Sequence, residues 1–376
     1  MLGIISISYP NKKSEEEILK NIEMKELISI NKKTKAINKL ILGENRIVLK
    51  NLLQKYHSKI DLVYIDPPYA TKNVFTISNE KANAISRSET DDIAYSDDLL
   101  GPEYIEYIRE VLVLLKELLS EKGSIYIHID YKIGHYIKII CDEIFGKDNF
   151  LNDIARIKCN PKNFEKRSFG NIKDMILFYS KSQNHIWNDP KIEMTEKDQN
   201  RLFKKIDKDG RRYTTVPVHA PGETKNGVTG KPWRGMNPPK GRHWRVDPEK
   251  LDELDQQGLI EWSKTGVPRK KIFFDENEGK RVQDIIEFKD SQNPSYPTEK
   301  NLDLLKFLIN TSSNKDSLVL DCFCGSGTTL KAAEELGRKW IGIDKSKTAI
   351  EIAYRKIWKK QARLLEENDF EYLQIK

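Results

Sequence analysis

Apolar and polar positions follow two rhythms along this chain, and the switches between them predict its elements. Short runs rich in β-branched and aromatic residues, KLILGE (39–44), DLVYID (61–66), GSIYIHID (123–130), DSLVLDCF (316–323) and KWIGID (339–344), read as buried strands. Helical spacing marks ENRIVLKNLLQKY, PEYIEYIREVLVLLKELLSEKG with Gly123 as its stop, YKIGHYIKIICDEIFG, EKNLDLLKFLIN, and GTTLKAAEELG with Gly337 as its stop. Helices and apolar strands in this order predict a parallel, doubly wound α/β sheet covered on both faces. Two stretches break the pattern. Thr71 to Asp98 is polar with no apolar period, and residues 151–290 begin with hairpin-like RIKC and MILFYS strands and then lose regularity. There is no internal repeat and no low-complexity tract.

Composition narrows the class. With 376 residues, 38% hydrophobic and 32% charged, the chain can bury a sizeable core as two domains or as one domain with a large insertion. Mean hydropathy is −0.63. No window approaches the roughly 18 apolar residues of a membrane span, and MLGIISISYPNKK is too short for a secretory signal, so a cytoplasmic protein with no membrane partner is expected. Of the four cysteines, Cys322 and Cys324 are spaced for neither a zinc ribbon nor a thioredoxin pair, and the six histidines are scattered. Reduced, buried thiols and no metal are expected.

The net charge of +7 becomes informative once located. Leu151 to Asp290 holds 29 Lys+Arg against 22 Asp+Glu, and Arg201 to Arg245 holds 12 against 3. A like-charge run is commonly just a solvated face. Here the cations alternate with aromatic, Gly and Pro residues, which favours a nucleic-acid surface. Arg211, Arg212, Lys231, Arg234, Lys240, Arg242 and Arg245 are candidates for phosphates, and Tyr213, Trp233 and Trp244 for stacking or wedging. With no RNA-module signature, duplex DNA is the expected partner.

Two motifs carry candidate chemistry. In DLVYIDPPYA an apolar strand ends on Asp66, and Pro67 and Pro68 then fix φ and withhold two N–H donors, giving a stiff elbow between a carboxylate and the phenol of Tyr69. In VLDCFCGSGTTL (319–330), Gly325 and Gly327 permit a tight turn and close ligand approach at a helix N-terminus. Leu330 stands where a dinucleotide fingerprint has its third glycine, and no G-K-[ST] follows, so neither NAD nor a P-loop phosphate fits well. Asp344 closes the next strand, where a carboxylate can accept from two ribose hydroxyls. A cofactor with a ribose and no pyrophosphate satisfies these features. A βαβ unit whose glycines serve only packing is the plainer alternative.

DPPY (66–69), D-x-F-x-G-S-G-T-T (321–329), YPTEK (296–300) and RKWIGID (338–344) together closely resemble the β-class of amino-methylating, S-adenosylmethionine-dependent DNA methyltransferases. The resemblance covers about residues 38–358, and the tract from Gly230 to Arg269 is similar to a target-recognition region of site-specific bacterial members. Type III modification subunits are similar in their catalytic parts but generally longer. The resemblance implies a Rossmann-like, circularly permuted sheet: DSLVLDCF and KWIGID as first and second strands, KLILGE, DLVYID and GSIYIHID as third to fifth. It also implies an N-terminal extension (1–37), a catalytic half (38–150), a basic target-recognition insert (151–290) and a cofactor-binding half (291–376).

The implied reaction is site-specific methylation of adenine N6 in duplex DNA. Asp66 and the Pro67 carbonyl would accept from the amino group, Pro68 would stiffen the elbow, and Tyr69 would stack on a flipped base. Asp321, Phe323, Gly325, Gly327, Thr328, Asp344, Thr298 and Lys300 would bind S-adenosylmethionine. Glu44, where the family has aspartate, would face its adenine, and Thr71 to Asp98 would close over cofactor or base. Glu299 and Asn301 stand where the family commonly shows glutamine and proline. A cytosine-N4 enzyme, which more often has serine in place of Asp66, and a non-catalytic DNA-binding partner of a heteromeric enzyme are the alternatives. A homodimer and a cognate restriction endonuclease are the further partners to test.

Overall fold

The apolar runs assemble into one ten-stranded sheet. The computed structural model describes residues 5–31, 36–68, 101–161, 167, 169–290, 299–361 and 370–376, with backbone alone at 74–77, 82–83, 92–96 and 358–361. The chain divides into two compact units, Met1–Pro190 with Gln283–Lys376, and Lys191–Val282.

The sheet of the first unit contains β1 (Leu27–Ser29), β2 (Asn38–Leu42), β3 (Ile60–Ile65), β4 (Leu119–Ile129), β5 (Phe150–Ile157), β6 (Lys173–Ser180), β7 (Ile285–Glu287), β8 (Leu318–Asp321), β9 (Lys339–Asp344) and β10 (Phe370–Ile375). Their spatial order is β1-β10-β2-β9-β8-β3-β4-β6-β5-β7. The run β2-β9-β8-β3-β4 is parallel throughout. It is the third-second-first-fourth-fifth order of the permuted sheet, so the chain enters in the middle. Val63, Leu320 and Ile341 stand abreast on neighbouring strands and are fully buried, which fixes the register of the centre.

The flanking helices form where the apolar spacing predicts. Helix Asn45–Tyr56 buries Val48, Leu49, Leu52 and Tyr56 on one face, and Glu44 caps it by accepting from the Ile47 N–H at 3.1 Å. Helix Leu302–Ser312 buries Leu304, Leu305, Leu308 and Ile309. Its N-cap is Asn301, which accepts from the N–H groups of Asp303 and Leu304 at 2.8 and 3.0 Å. The departure from proline at 301 therefore has a structural reason. No described helix is long and apolar enough to cross a membrane.

Several expectations are corrected. Gly123 does not stop the preceding helix, which ends at Leu118; it lies within β4, where an added Cβ would sit 2.8 Å from the Ile60 carbonyl oxygen. The RIKC and MILFYS strands do not open the insert. They are β5 and β6, antiparallel to each other, and β6 extends the main sheet antiparallel to β4. The second unit is accordingly 191–282 rather than 151–290. The 1–37 segment is likewise part of the first unit, since β1 pairs with β10 and Ile18 is buried. Thr71 to Asp98, read as an irregular loop, includes a small antiparallel sheet of Val74–Ile77, Ala82–Asn83 and Asp92–Ser96.

The second unit has its own sheet of Lys205–Ile206, Arg212–Pro217, Pro268–Phe273 and Ile260–Trp262, and a ribbon pairing His219–Pro221 with Arg242–Trp244. Its core joins Val218, Trp233, Trp244, Leu251, Leu254 and Ile260. This overturns the stacking role expected of two tryptophans. Trp233 and Trp244 are 1% and 2% exposed, and their indole N–H groups donate to Asp252 and to the Lys231 carbonyl. Tyr213 is also buried. A core this small depends on each large side chain. Trp244→Ala is expected to cost about 3–5 kcal/mol, seen as lost amide-exchange protection across the second unit with β3 and β8 unchanged. Unchanged protection in both would show that Trp244 is not a core residue.

Candidate active site

Parallel strands deliver their carboxyl ends to one rim, and the predicted chemistry lies there. Asp66 follows β3 directly; its side chain is 17% exposed and pairs with Lys300, 13% exposed, at 2.7 Å. Pro67 is buried and Pro68 half-buried, so the elbow is anchored in the sheet edge. The contact to Lys300 is new. That residue is expected on the cofactor, and the fold also sets it against the Asp66 carboxylate. Tyr69 and Thr298 lie outside the described residues.

The glycine motif forms the turn from β8 into helix Thr328–Glu335. Gly327 has φ 78° and an added Cβ would lie 2.9 Å from the Ala353 Cβ, so both its backbone conformation and its neighbour require glycine. Thr328 is buried at the helix start. Gly325 donates its N–H to Asp344 at 2.9 Å, and Ser346 donates to the other oxygen of the same carboxylate at 2.8 Å. Asp344 is thus held rigidly at the end of β9, with lone pairs left over for a ligand. Phe323 is half-buried against Tyr107, and the Phe323 N–H donates to Asp321 at 2.9 Å.

Asp321 is almost completely buried, and burial pushes its pKa up to about 7 against the restraining bonds from Thr329 and Phe323; Asp66 and Asp344 push it further up. Asp344 is raised too, chiefly by burial. A buried carboxyl with raised pKa beside a glycine turn is fitted to a ligand that brings positive charge. The donor set also fits a ribose at Asp344.

Two contacts escaped sequence reading. Lys356 bridges the YPTEK segment to the glycine turn, 2.5 Å from Glu299 and 3.1 Å from the Ser326 hydroxyl. Glu299, in place of the family glutamine, therefore makes an ion pair. Glu44 is engaged as the helix cap and by Arg46 at 2.9 Å, which speaks against a simple adenine contact.

Behind the elbow a polar chain crosses the sheet. Tyr64 is hydrogen-bonded to His128 Nδ1 at 2.8 Å, and His128 Nε2 to Asp174 at 3.1 Å. Asp174 also pairs with Lys158 at 2.6 Å and with Arg156 at 3.3 Å, and Arg156 reaches Asp290 and the Phe288 carbonyl. Burial lowers the His128 pKa. A neutral imidazole facing a carboxylate carries its proton on Nε2, so Nδ1 accepts from the Tyr64 hydroxyl. His128 is a structural link between Tyr64 and Asp174.

The candidate DNA residues separate into two groups. Arg211 is held by Asp275 and Glu276 at 2.8 and 2.6 Å, and Arg234 by Asp252 and Asp255 at 2.8 and 2.5 Å. Arg212, Lys231, Arg242 and Arg245 are exposed and make no ion pair among the described residues.

A permuted parallel sheet with a glycine turn after its first strand and a ribose-type carboxylate after its second defines a methyltransferase domain. A family model described as DNA methylase matches residues 60–355. The type II methyltransferase M.EcaI of Enterobacter cloacae is 40% identical, covering 91% of this chain and 75% of its own length. The EcoPI Mod subunit, a type III restriction-modification protein of Escherichia phage P1, is 26% identical and covers 94% and 67%. The type II methyltransferase M.KpnI of Klebsiella pneumoniae is 27% identical and covers 93% and 92%. Among solved structures, the PvuII DNA methyltransferase (cytosine-N4-specific) is 14% identical with a TM-score of 0.47, covering 88% of each chain. The chain belongs to the DNA methylase family, and its methyl donor is S-adenosylmethionine.

Asp174 tests the polar chain. Burial alone would raise its pKa, but His128 and Lys158 outweigh burial and hold it well below the ordinary 3.8. A depressed folded value stabilises above the unfolded pKa and is lost as pH falls toward the folded one. Asp174→Asn should cost about 3 kcal/mol near neutrality, the low end for a buried pair, because it removes the carboxylate facing Arg156 and Lys158 while Arg156 keeps Asp290. The gap between variant and parent in urea midpoint should narrow below about pH 4; an equal gap at pH 7 and pH 3 would rule out the ion pairs as its source.

Proposed function

We propose that the protein methylates the N6 amino group of adenine at a specific site in duplex DNA, acting on a base turned out of the helix. The observation that carries this reading is the Asp66 carboxylate on its proline elbow at the end of β3. An exocyclic amino group is a weak nucleophile because its lone pair is delocalised into the ring. Two acceptors for its N–H bonds, the Asp66 carboxylate and the Pro67 carbonyl, favour a pyramidal nitrogen with its lone pair aimed outward. Pro68 keeps both acceptors on one rigid segment, and Tyr69 supplies an aromatic face that partly offsets lost base stacking. Asp66 acts as an acceptor more than as a base, since the methylated amino group is acidic enough to lose its proton to water.

Bound S-adenosylmethionine supplies a methyl group on a positively charged sulfur. Asp321, Phe323, Gly325, Gly327 and Thr328 form its cradle in this reading, Asp344 accepts from the ribose hydroxyls, and Thr298 reaches the carboxylate end. Lys300 steadies Asp66 as an anion. The exposed cations of the second unit contact the DNA. The names of M.EcaI's and EcoPI Mod's classes suggest a modification role in a restriction-modification system, with a cognate endonuclease and a second copy of this chain as partners to test.

Incubation with duplex DNA and methyl-labelled donor, followed by digestion to nucleosides, should yield label in N6-methyladenine. Asp66→Ala should lower the rate by about 10²–10³ with donor affinity little changed. Label in N4-methylcytosine would overturn the adenine assignment.

A second measurement addresses Asp321. Its pKa of about 7 in the free protein should fall when a cation binds beside it, so donor affinity should rise with pH. Binding is expected to be about tenfold tighter at pH 8 than at pH 6. Asp321→Asn should bind more weakly and remove that difference, as read by calorimetric titration; a variant with the parent pH profile would exclude Asp321 as the linked group.

A further inference from the structure

Three arginines of the second unit gather around one histidine. Arg242 Nη1 lies 3.2 Å from His219 Nδ1, across the ribbon that pairs His219–Pro221 with Arg242–Trp244. Arg245 follows on the same turn; its Nε donates to the Pro217 carbonyl at 3.1 Å and its backbone N–H to the Val218 carbonyl at 2.8 Å. Arg269 stands opposite Pro217 on the adjoining strand, with Nε on the Thr215 hydroxyl at 2.9 Å and Nη2 on the Thr215 carbonyl at 2.8 Å. Burial first, then Arg242, Arg245 and Arg269, lowers the His219 pKa, so the field of all three reaches one point.

The cluster lacks counter-charge, a property it shares with Arg212 and Lys231; what distinguishes it is that three such guanidinium groups stand on or beside adjoining strands around one side chain. Among the described residues none of the three pairs with a carboxylate, whereas Arg211 and Arg234 each hold two and Lys205, Lys271 and Lys280 hold Glu261, Asp207 and Asp198. Two of the guanidinium groups are also aimed in advance. Arg245 is fixed through Nε with both terminal nitrogens left over, and Arg269 is fixed through two nitrogens with Nη1 left over. Preoriented, uncompensated guanidinium groups lose little side-chain entropy when an anion arrives.

We propose that Arg242, Arg245 and Arg269, grouped around His219, form the principal DNA-phosphate site of the second unit, and that Arg211 and Arg234 are structural. The inference rests on the reading that this unit contacts DNA.

The test is binding of fluorescein-labelled duplex DNA to the full chain, by anisotropy, across a salt series. The triple Arg→Gln variant at 242, 245 and 269 should bind at least about 30-fold more weakly at low salt. Its slope of log affinity against log salt should fall by about 2–3, at roughly 0.9 per phosphate contact. The triple Arg→Lys variant should keep most of the slope, separating charge from folding, and donor affinity should be unchanged in both. Arg211→Gln and Arg234→Gln should keep the parent slope. A parent slope in the triple Gln variant, or an equal loss in Arg211→Gln, would overturn the assignment. Loss confined to one DNA sequence with the slope intact would mean base reading, and would overturn it too. A parent chain that binds S-adenosylmethionine but no duplex would instead remove the underlying reading.

Discussion

The site is governed by a collision of carboxylates. Five parallel strands end at one rim, and each is closed or followed by an acid: Asp344 at β9, Glu44 after β2, Asp321 at β8, Asp66 after β3 and Asp130 after β4. Burial raises the cost of each negative charge, and proximity adds repulsion. The chain answers differently at each position. Glu44 has a helix N-terminus and Arg46, Asp344 has two backbone N–H groups, Asp130 has the Lys132 N–H, and Asp66 has Lys300. Asp321 receives hydrogen bonds from Phe323 and Thr329 but makes no ion pair among the described residues, and its pKa stands at about 7. Raising a carboxyl from 3.8 to about 7 corresponds to about 4 kcal/mol between its two protonation states. That is the free energy a cationic ligand can draw on, and the most deeply buried acid of the rim is the one beside the glycine turn.

Most of the sheet was legible because a fully buried parallel strand has no polar alternative: its residues must be apolar, and short apolar runs bounded by turns stand out. The permuted order followed from the sequence order of the two motifs. The strands next to each edge were not legible. β10, FEYLQI, and β5, FLNDIARI, mix polar and apolar residues because only part of each is covered, so pattern alone does not say which sheet they join. Gly123 has a related cause: close approach of the Ile60 backbone, a tertiary contact, requires it, whereas local sequence offers only a helix stop.

The site divides along the same line. The proline elbow and the glycine turn are local conformational demands, so residues 66–68 and 325–327 carry them in plain view. The pairs Lys300 with Asp66 and Lys356 with Glu299 join segments brought together only by the fold. The tryptophans show the opposite error. An aromatic residue within a basic tract suggests stacking, but Trp233 and Trp244 have more to gain from a small core than from a surface, and each finds an acceptor for its indole N–H there.

An acidic rim also constrains where DNA affinity can arise. A polyanion gains nothing from carboxylates at the strand ends, so the cations that hold it must come from elsewhere in the chain. The second unit holds 21 Lys+Arg against 15 Asp+Glu, a modest excess if every charge counted equally. They do not count equally. Carboxylates there pair with Arg211, Arg234, Lys205, Lys271 and Lys280, and that pairing removes these five cations from the charge open to an anion while Arg242, Arg245 and Arg269 keep theirs. Local pairing thus decides which cations remain open to an anion. On the reading proposed above, the two units divide the work by charge: phosphates are held where cations lack partners, and an acidic rim admits the neutral base without the repulsion a phosphate would meet.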